Sequence, residues 1–247
     1  MSNIIGLVEE LYVHPVKSMT GQLLQEASVQ SYGLYGDRAR GLVRADNPDQ
    51  FVTITQIPQL AAYRAELQIK TCHQPGWPEI TIYTPDGRAY NWEEETWLAE
   101  LEQLAGIKMQ RWEAPSGHVP KGAIEDGDLL LTTSHSLAAL SSLHGVPVDI
   151  RRFRPNLHLR LTTEDATAYV EGSWQDRHLL VGEAVIQVTG NCPRCSIINV
   201  EPLSGIITPH LLKHVARQNA IHFGVYAAVQ TPGLIRVGDP IQFHSSY

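Results

Sequence analysis

Short runs of β-branched and aromatic residues, each cut off by Gly, Pro, Asn or Asp, recur along almost the whole chain. They cover residues 4–13, 27–32, 41–43, 51–54, 65–69 and 79–83, and again 129–131, 156–161, 178–188, 222–229 and 234–243. Runs of this kind read as strands. Asp86-Gly87, between 80–83 and 90–92, adds the turn signal of a hairpin or a longer loop. Helical spacing is rarer. Trp97, Leu98, Leu101 and Leu104 share one face of a helix over 94–105, with acids opposite and Gly106 at its stop. A short helix capped by Ser136 carries Leu137, Leu140 and Leu143 and closes at Gly145. Another, over 210–217, opens with Thr208-Pro209 as N-cap and first helical residue. Many short strands with few helices predict a mostly β chain with a β-barrel-like architecture rather than a doubly wound sheet. GxGxxG and GxxxxGK[ST] fingerprints are absent.

The chain has 247 residues, enough for one large core or two small ones. Residues 114–122, Ala-Pro-Ser-Gly-His-Val-Pro-Lys-Gly, disfavour regular structure and divide it into residues 1–115 and 116–247. The net charge of −7 falls as −6 on the first part and −1 on the second. That balance argues against a nucleic-acid or anionic-membrane surface and makes any cationic site local. No stretch approaches the roughly 18 uninterrupted apolar residues of a membrane span. Glu9-Glu10 occupy the place where a signal peptide needs its apolar core. Three cysteines do not make a disulfide framework. The expectation is a cytoplasmic protein with no nucleic-acid and no membrane partner.

Cys192-Pro193-Arg194-Cys195 is the most informative local feature. Two thiols three apart can ligate a metal, exchange disulfides, or simply pack. Arg194 beside Cys195 supplies the positive charge that favours a thiolate. Structural zinc wants four Cys or His ligands, and Cys72 lies far away in a Pro/Gly-rich stretch. Arg151-Arg152-Phe153-Arg154-Pro155-Asn156 is the one dense basic run. It is either a solvated turn or an anion pocket, in which guanidinium forks grip phosphate, Pro155 fixes the turn and the Asn156 amide is free to read a heterocycle edge. Lys17-Ser18, after a strand that ends at Pro15, forms a second phosphate-gripping candidate or an ordinary surface loop. Asp37-Arg38 is an arginine aimed by its neighbouring acid, or a surface pair worth little. His135, just before Ser136, either lines a pocket or is an ordinary loop histidine.

These elements occur in a distinctive order: V-K-S, then G-D-R, then R-F-R-P-N, then C-P-R-C followed by V-E-P-x-S-G. That order resembles the MOSC-domain proteins with an N-terminal MOSC β-barrel-type domain, the group containing the mitochondrial amidoxime-reducing component and its bacterial relatives. Residues 52–60, VTITQIPQL, are similar to the family's TARQ-P-L element; residues 172–182, GSWQDRHLLVG, and 231–240, TPGLIRVGDP, match its later strands. Two positions depart. His14 stands for the usual Tyr, and Thr55 for the Arg of TARQ.

The resemblance implies a barrel-like MOSC domain with the N-terminal domain packed against it, the first forty or so residues reaching the cofactor pocket. It implies a molybdenum cofactor (molybdenum held by a pterin dithiolene), with Cys195 as the protein ligand to the metal and the catalytic residue. Lys17, Ser18, Arg38, Arg154, Pro155 and Asn156 would hold the pterin and its phosphate, Arg194 would flank the ligand, and Thr133 to Ser136 would close the pocket. A soft thiolate suits a metal already held by sulfur. The implied activity is reduction of small N-hydroxylated compounds with electrons from an external donor protein. Too few cysteines remain to ligate an iron–sulfur cluster, and the acidic helix over 93–102 is a candidate docking face. The same domain in molybdenum cofactor sulfurases implies an alternative, a carrier module using a Cys195 persulfide or transient cofactor binding.

Overall fold

The computed structural model describes residues 4–68, 76–120, 127–164 and 166–244. Cys72, Ile69 and the end of the 114–122 segment lie outside the described residues.

Seven strands close on themselves: β1 (Ile4–Val13), β12 (Leu157–Leu161), β11 (Leu129–Thr133), β15 (His222–Thr231), β14 (Ala184–Pro193), β13 (His178–Val181) and β17 (Pro240–His244). The ring shuts because β1 pairs with β12 on one side and β17 on the other. β11 and β12 run parallel, the other neighbours antiparallel. The interior follows from a period of two: Leu179 and Val181 on β13 and Ala184, Ile186 and Val188 on β14 are buried, while their neighbours reach outward. At Gly224, with φ 78°, a Cβ would sit 2.4 Å from the Leu131 carbonyl oxygen, so β15 crosses β11 this closely only with glycine. The mostly β reading with a barrel holds.

β2 (Gln22–Leu24) adds to the outer end of β1, and β3 (Glu26–Gln30) pairs with β4 (Gly33–Leu34) and with β16 (Gly233–Arg236). Two small sheets make the rest: β5 (Arg40–Arg44) between β6 (Asn47–Phe51) and β10 (Met109–Glu113), and β8 (Ile80–Tyr83) between β7 (Arg64–Leu67) and β9 (Ala89–Asn91). Helix α1 (Glu95–Ala105) buries Trp97, Leu98 and Leu101 in their core and stops at Gly106 in the left-handed region. Its Glu95, Glu100 and Glu102 pair with Arg111, Arg88 and Lys108.

Several local expectations are corrected. The run 178–188 is two strands, because Gly182, at φ 55°, turns the chain between β13 and β14. The run 234–243 likewise breaks between β16 and β17. Residues 52–57 form a turn rather than a strand, closed by Gln56 and Ile57 N–H groups donating to the Thr53 carbonyl. Helix α2 (Ser134–His144) is capped by Thr133, whose hydroxyl accepts from the Ser136 N–H at 3.2 Å; Ser136 is already inside the helix. Helix α3 (Leu211–Asn219) begins after His210, because the Thr208 hydroxyl donates to the Asn199 carbonyl instead. Leu140 of α2 and Leu211 and Val215 of α3 pack on Phe153, Ile198 and Phe223, which joins this helical layer to the segments around the site.

Candidate functional site

The chain bends sharply at the end of β1. The Lys17 N–H donates to the Arg40 carbonyl at 2.8 Å, and Ser18 is buried at φ 74°. Asp37, fully buried, accepts the His14 N–H at 2.7 Å and forms an ion pair with Arg38. The other end of the Arg38 guanidinium donates to the Arg154 carbonyl at 3.0 Å. His14 Nε2 donates to the Pro155 carbonyl at 3.0 Å, since that oxygen can only accept. Burial first, and then Arg154 and Arg38, hold the His14 ring well below the ordinary histidine range; the Pro155 carbonyl pulls the other way. The imidazole is therefore neutral and ties the start of the chain to the FRPN segment.

The basic run is divided. Asp149 caps a 3-10 turn over Ile150–Phe153 and pairs with Arg151. Arg152 donates to the Ile198 carbonyl at 3.1 Å and pairs with Glu201. Arg154 adopts the left-handed region at φ 56°, and its Nη1 donates to the Met19 carbonyl at 2.5 Å. At the end of β14 the register shifts between Asn191 and Pro193. There the Cys192 side chain is buried, Arg194 follows it, and Cys195 is exposed.

These segments meet around a cavity of about 180 Å³. Six of the residues singled out in the sequence line it: Lys17, Ser18, Arg38, Arg154, Arg194 and Cys195. No carboxylate is among its lining residues, so four cations and one exposed thiol converge in a chain of net charge −7. Ser18, Arg38 and Arg154 are three of the nine non-glycine residues with positive φ among the described residues, a backbone cost of about 1–3 kcal/mol each that clusters at this cavity. Sequence reasoning missed that signal. It named Phe153 and Pro193 only as parts of their motifs and gave Thr53, Leu130, Ile197 and Tyr226 no role, although all six complete the wall, while Thr55 was noted only as a departure. The Thr53 and Thr55 hydroxyls lie 2.7 Å apart on that wall.

The other four do not line the cavity. Asn156 is fully buried; its Oδ1 accepts the Leu130 N–H at 3.1 Å and its Nδ2 donates to the Tyr12 carbonyl at 3.3 Å, so its amide is not free. Pro155 is occupied by His14. Thr133 and Ser136 face the buried Glu171: Ser136 Oγ lies 2.7 Å and Thr133 Oγ1 3.1 Å from its carboxyl oxygens. Burial raises the Glu171 carboxyl above its ordinary range, against those hydrogen bonds. His135 is not a lining residue either. Among the described residues no three His, Cys, Asp or Glu side chains are placed to share a metal ion, whereas structural zinc takes four. No described helix is long and apolar enough to cross a membrane.

Comparison with known proteins places these observations. Residues 120–242 match the MOSC domain and residues 5–113 the MOSC N-terminal beta barrel domain. The chain is 26% identical to mitochondrial amidoxime-reducing component 1 of Xenopus laevis and 25% identical to that of Homo sapiens, each over 96% of this chain and 82% of the other. Over 33% of its length it is 34% identical to a molybdenum cofactor sulfurase of Oryza sativa subsp. japonica, covering 10% of that protein. The crystal structure of the YUAD protein from Bacillus subtilis has the same fold, with a TM-score of 0.51 and 12% identity over 98% of this chain and 97% of that one. With a model match running through both halves, the chain belongs to the MOSC-domain proteins that also carry the MOSC N-terminal beta barrel domain.

Proposed function

We propose that the protein is a molybdenum-cofactor oxidoreductase that reduces N-hydroxylated compounds such as amidoximes, hydroxylamines and N-hydroxylated bases. One observation carries the reading: an exposed cysteine thiol lines the same cavity as four cationic side chains and no carboxylate. The residues fit such a group. A soft sulfur donor suits molybdenum already held by sulfur, and guanidinium and ammonium groups suit a phosphate. The names of the relatives support the same assignment.

When bound, the cofactor supplies two-electron removal of oxygen from N–OH, which with two protons gives N–H and water. Cys195 provides the one protein ligand to the metal. Lys17, Ser18, Arg38 and Arg154 grip the anionic part of the cofactor, with Arg38 held in direction by Asp37 and by the Arg154 carbonyl. Thr53 and Thr55 offer hydroxyls, and Leu130, Ile197 and Tyr226 a largely apolar surface, against which a small neutral substrate packs. Electrons come from a separate donor protein.

Turnover of benzamidoxime with a chemical reductant as electron source tests the reaction. The reading expects benzamidine from the cofactor-loaded protein and none from Cys195→Ser. A loaded protein that retains molybdenum yet produces no benzamidine, hydroxylamine product or dehydroxylated base would favour the second reading, a sulfur or cofactor carrier. The exposure of Cys195 and the likeness to a molybdenum cofactor sulfurase support that alternative.

A further inference from the structure

Cys192 is the buried partner of the exposed Cys195, and the proposed chemistry gives it no task. It is 1% exposed and packs with Leu130 and Tyr226, both of which line the cavity; Cys192 itself does not. Its sulfur therefore sits immediately behind the wall. The register shift between Asn191 and Pro193 sets it there, as bulges re-aim side chains.

From that position the thiol donates weakly to the Pro193 carbonyl at 3.8 Å and accepts from one guanidinium. Arg194 Nη1 lies 2.8 Å from Cys192 Sγ, and Nη2 donates to the Phe153 carbonyl at 2.8 Å. The guanidinium also lies over the Phe153 ring, 5.5 Å from its centroid. It is thus fixed at both nitrogens and on one face, while the side chain remains a lining residue of the cavity. Its Nε–H is buried and has no hydrogen-bond partner among the described residues. A buried donor left over from a clamped guanidinium is costly unless a ligand accepts from it.

We propose that Cys192 is a positioning residue: its sulfur, with the Phe153 carbonyl, clamps Arg194 so that the guanidinium is preorganised for an anionic or oxygen-bearing ligand in the cavity. The thiol three residues before the proposed metal-ligand cysteine then acts through an arginine and not on the metal. This inference rests on the cavity being a ligand site, and the identity of the cofactor enters only in the second arm of its test. A guanidinium already held in place loses less freedom on binding, which raises affinity without a new contact.

The test compares wild type, Cys192→Ala and Cys192→Ser by the side-chain NMR signals of Arg194, assigned by their loss in Arg194→Gln, and by titration with inorganic pyrophosphate. In wild type, restricted rotation should give separate Nη signals for Arg194. Cys192→Ala should merge them and weaken pyrophosphate binding about tenfold, the scale of one hydrogen bond to a charged group. Cys192→Ser, which keeps an acceptor, should recover most of both. A folded Cys192→Ala protein with unchanged Arg194 signals and unchanged affinity would overturn the proposal. So would a Ser variant as impaired as Ala, since that outcome makes the sulfur a packing group alone. If wild type binds pyrophosphate through a clamped Arg194 but never holds molybdenum, the clamp stands and the cofactor reading fails.

Discussion

Two polar clusters of the molecule, one closed and one lining the cavity, end differently. Around Glu171, the Thr133 and Ser136 hydroxyls, the carboxyl and the Tyr169 N–H bond to one another and leave no cavity residue in the group. Around Arg38, Arg154 and Arg194, the polar groups are cationic, three non-glycine residues hold positive φ, and the side chains line an open space. A polar cluster closed on itself serves packing. The open one leaves Arg194 Nε–H without a partner among the described residues, as the proposed ligand site requires, whereas positive φ occurs in both clusters, at Tyr169 in the closed one.

Asp37→Ala should break this contrast most severely. It leaves the buried Arg38 guanidinium and the His14 N–H without their acceptor, a loss of about 4 kcal/mol for one partner of a buried pair. Chemical denaturation should show that loss together with loss of ligand binding.

Acid sharpens the comparison next, because two buried histidines, His14 bonded to the FRPN segment and His158 between two barrel strands, are neutral in the folded chain. Burial lowers His158, whose Nδ1 lies 2.9 Å from the Thr132 hydroxyl, to about 4, and holds His14 well below its ordinary range. Unfolded, both take protons below about pH 6.5. Stability is therefore full above pH 7 and falls as pH drops toward about 4, where folded His158 also protonates; His158 alone accounts for roughly 3 kcal/mol. Melting temperatures measured from pH 7.5 to 4 should show this decline, and His158→Gln should flatten it.

Glu171→Ala comes third, with a loss of about 2 kcal/mol from the orphaned hydroxyls. It should leave molybdenum content per folded chain unchanged. Loss of the metal in a stably folded Glu171→Ala protein would merge the two clusters into one site. Thr55→Val should do least to stability, within about 0.5 kcal/mol for an exposed side chain. If Thr55 faces substrate, KM for benzamidoxime should shift severalfold with the metal content intact.

The sequence made the fold class legible because strand runs and turn residues act locally. The stop of α1 at Gly106 and the β1 limits follow directly from such signals. Where one apolar run holds two strands, as at 178–188, only the glycine's positive φ separates them, and that is a property of the folded hairpin. In the site, charge was the readable part: an acidic chain with one dense arginine run had to put those arginines to use locally. Which arginines face the cavity was not readable, because Asp149 and Glu201, one of them 49 residues away, take Arg151 and Arg152 out of it. Asn156 and Ser136 look like ligand-facing residues in sequence for the same reason. Their partners, Tyr12 and Glu171, are 144 and 35 residues distant.

Elemental analysis of protein purified from a host that makes the cofactor, wild type beside Cys195→Ser, bears most directly on the open cluster as a molybdenum site. Close to one molybdenum per chain in wild type, lost in a Cys195→Ser protein that melts at the same temperature, is the expected result. Zinc alone, or equal molybdenum in both proteins, would contradict it.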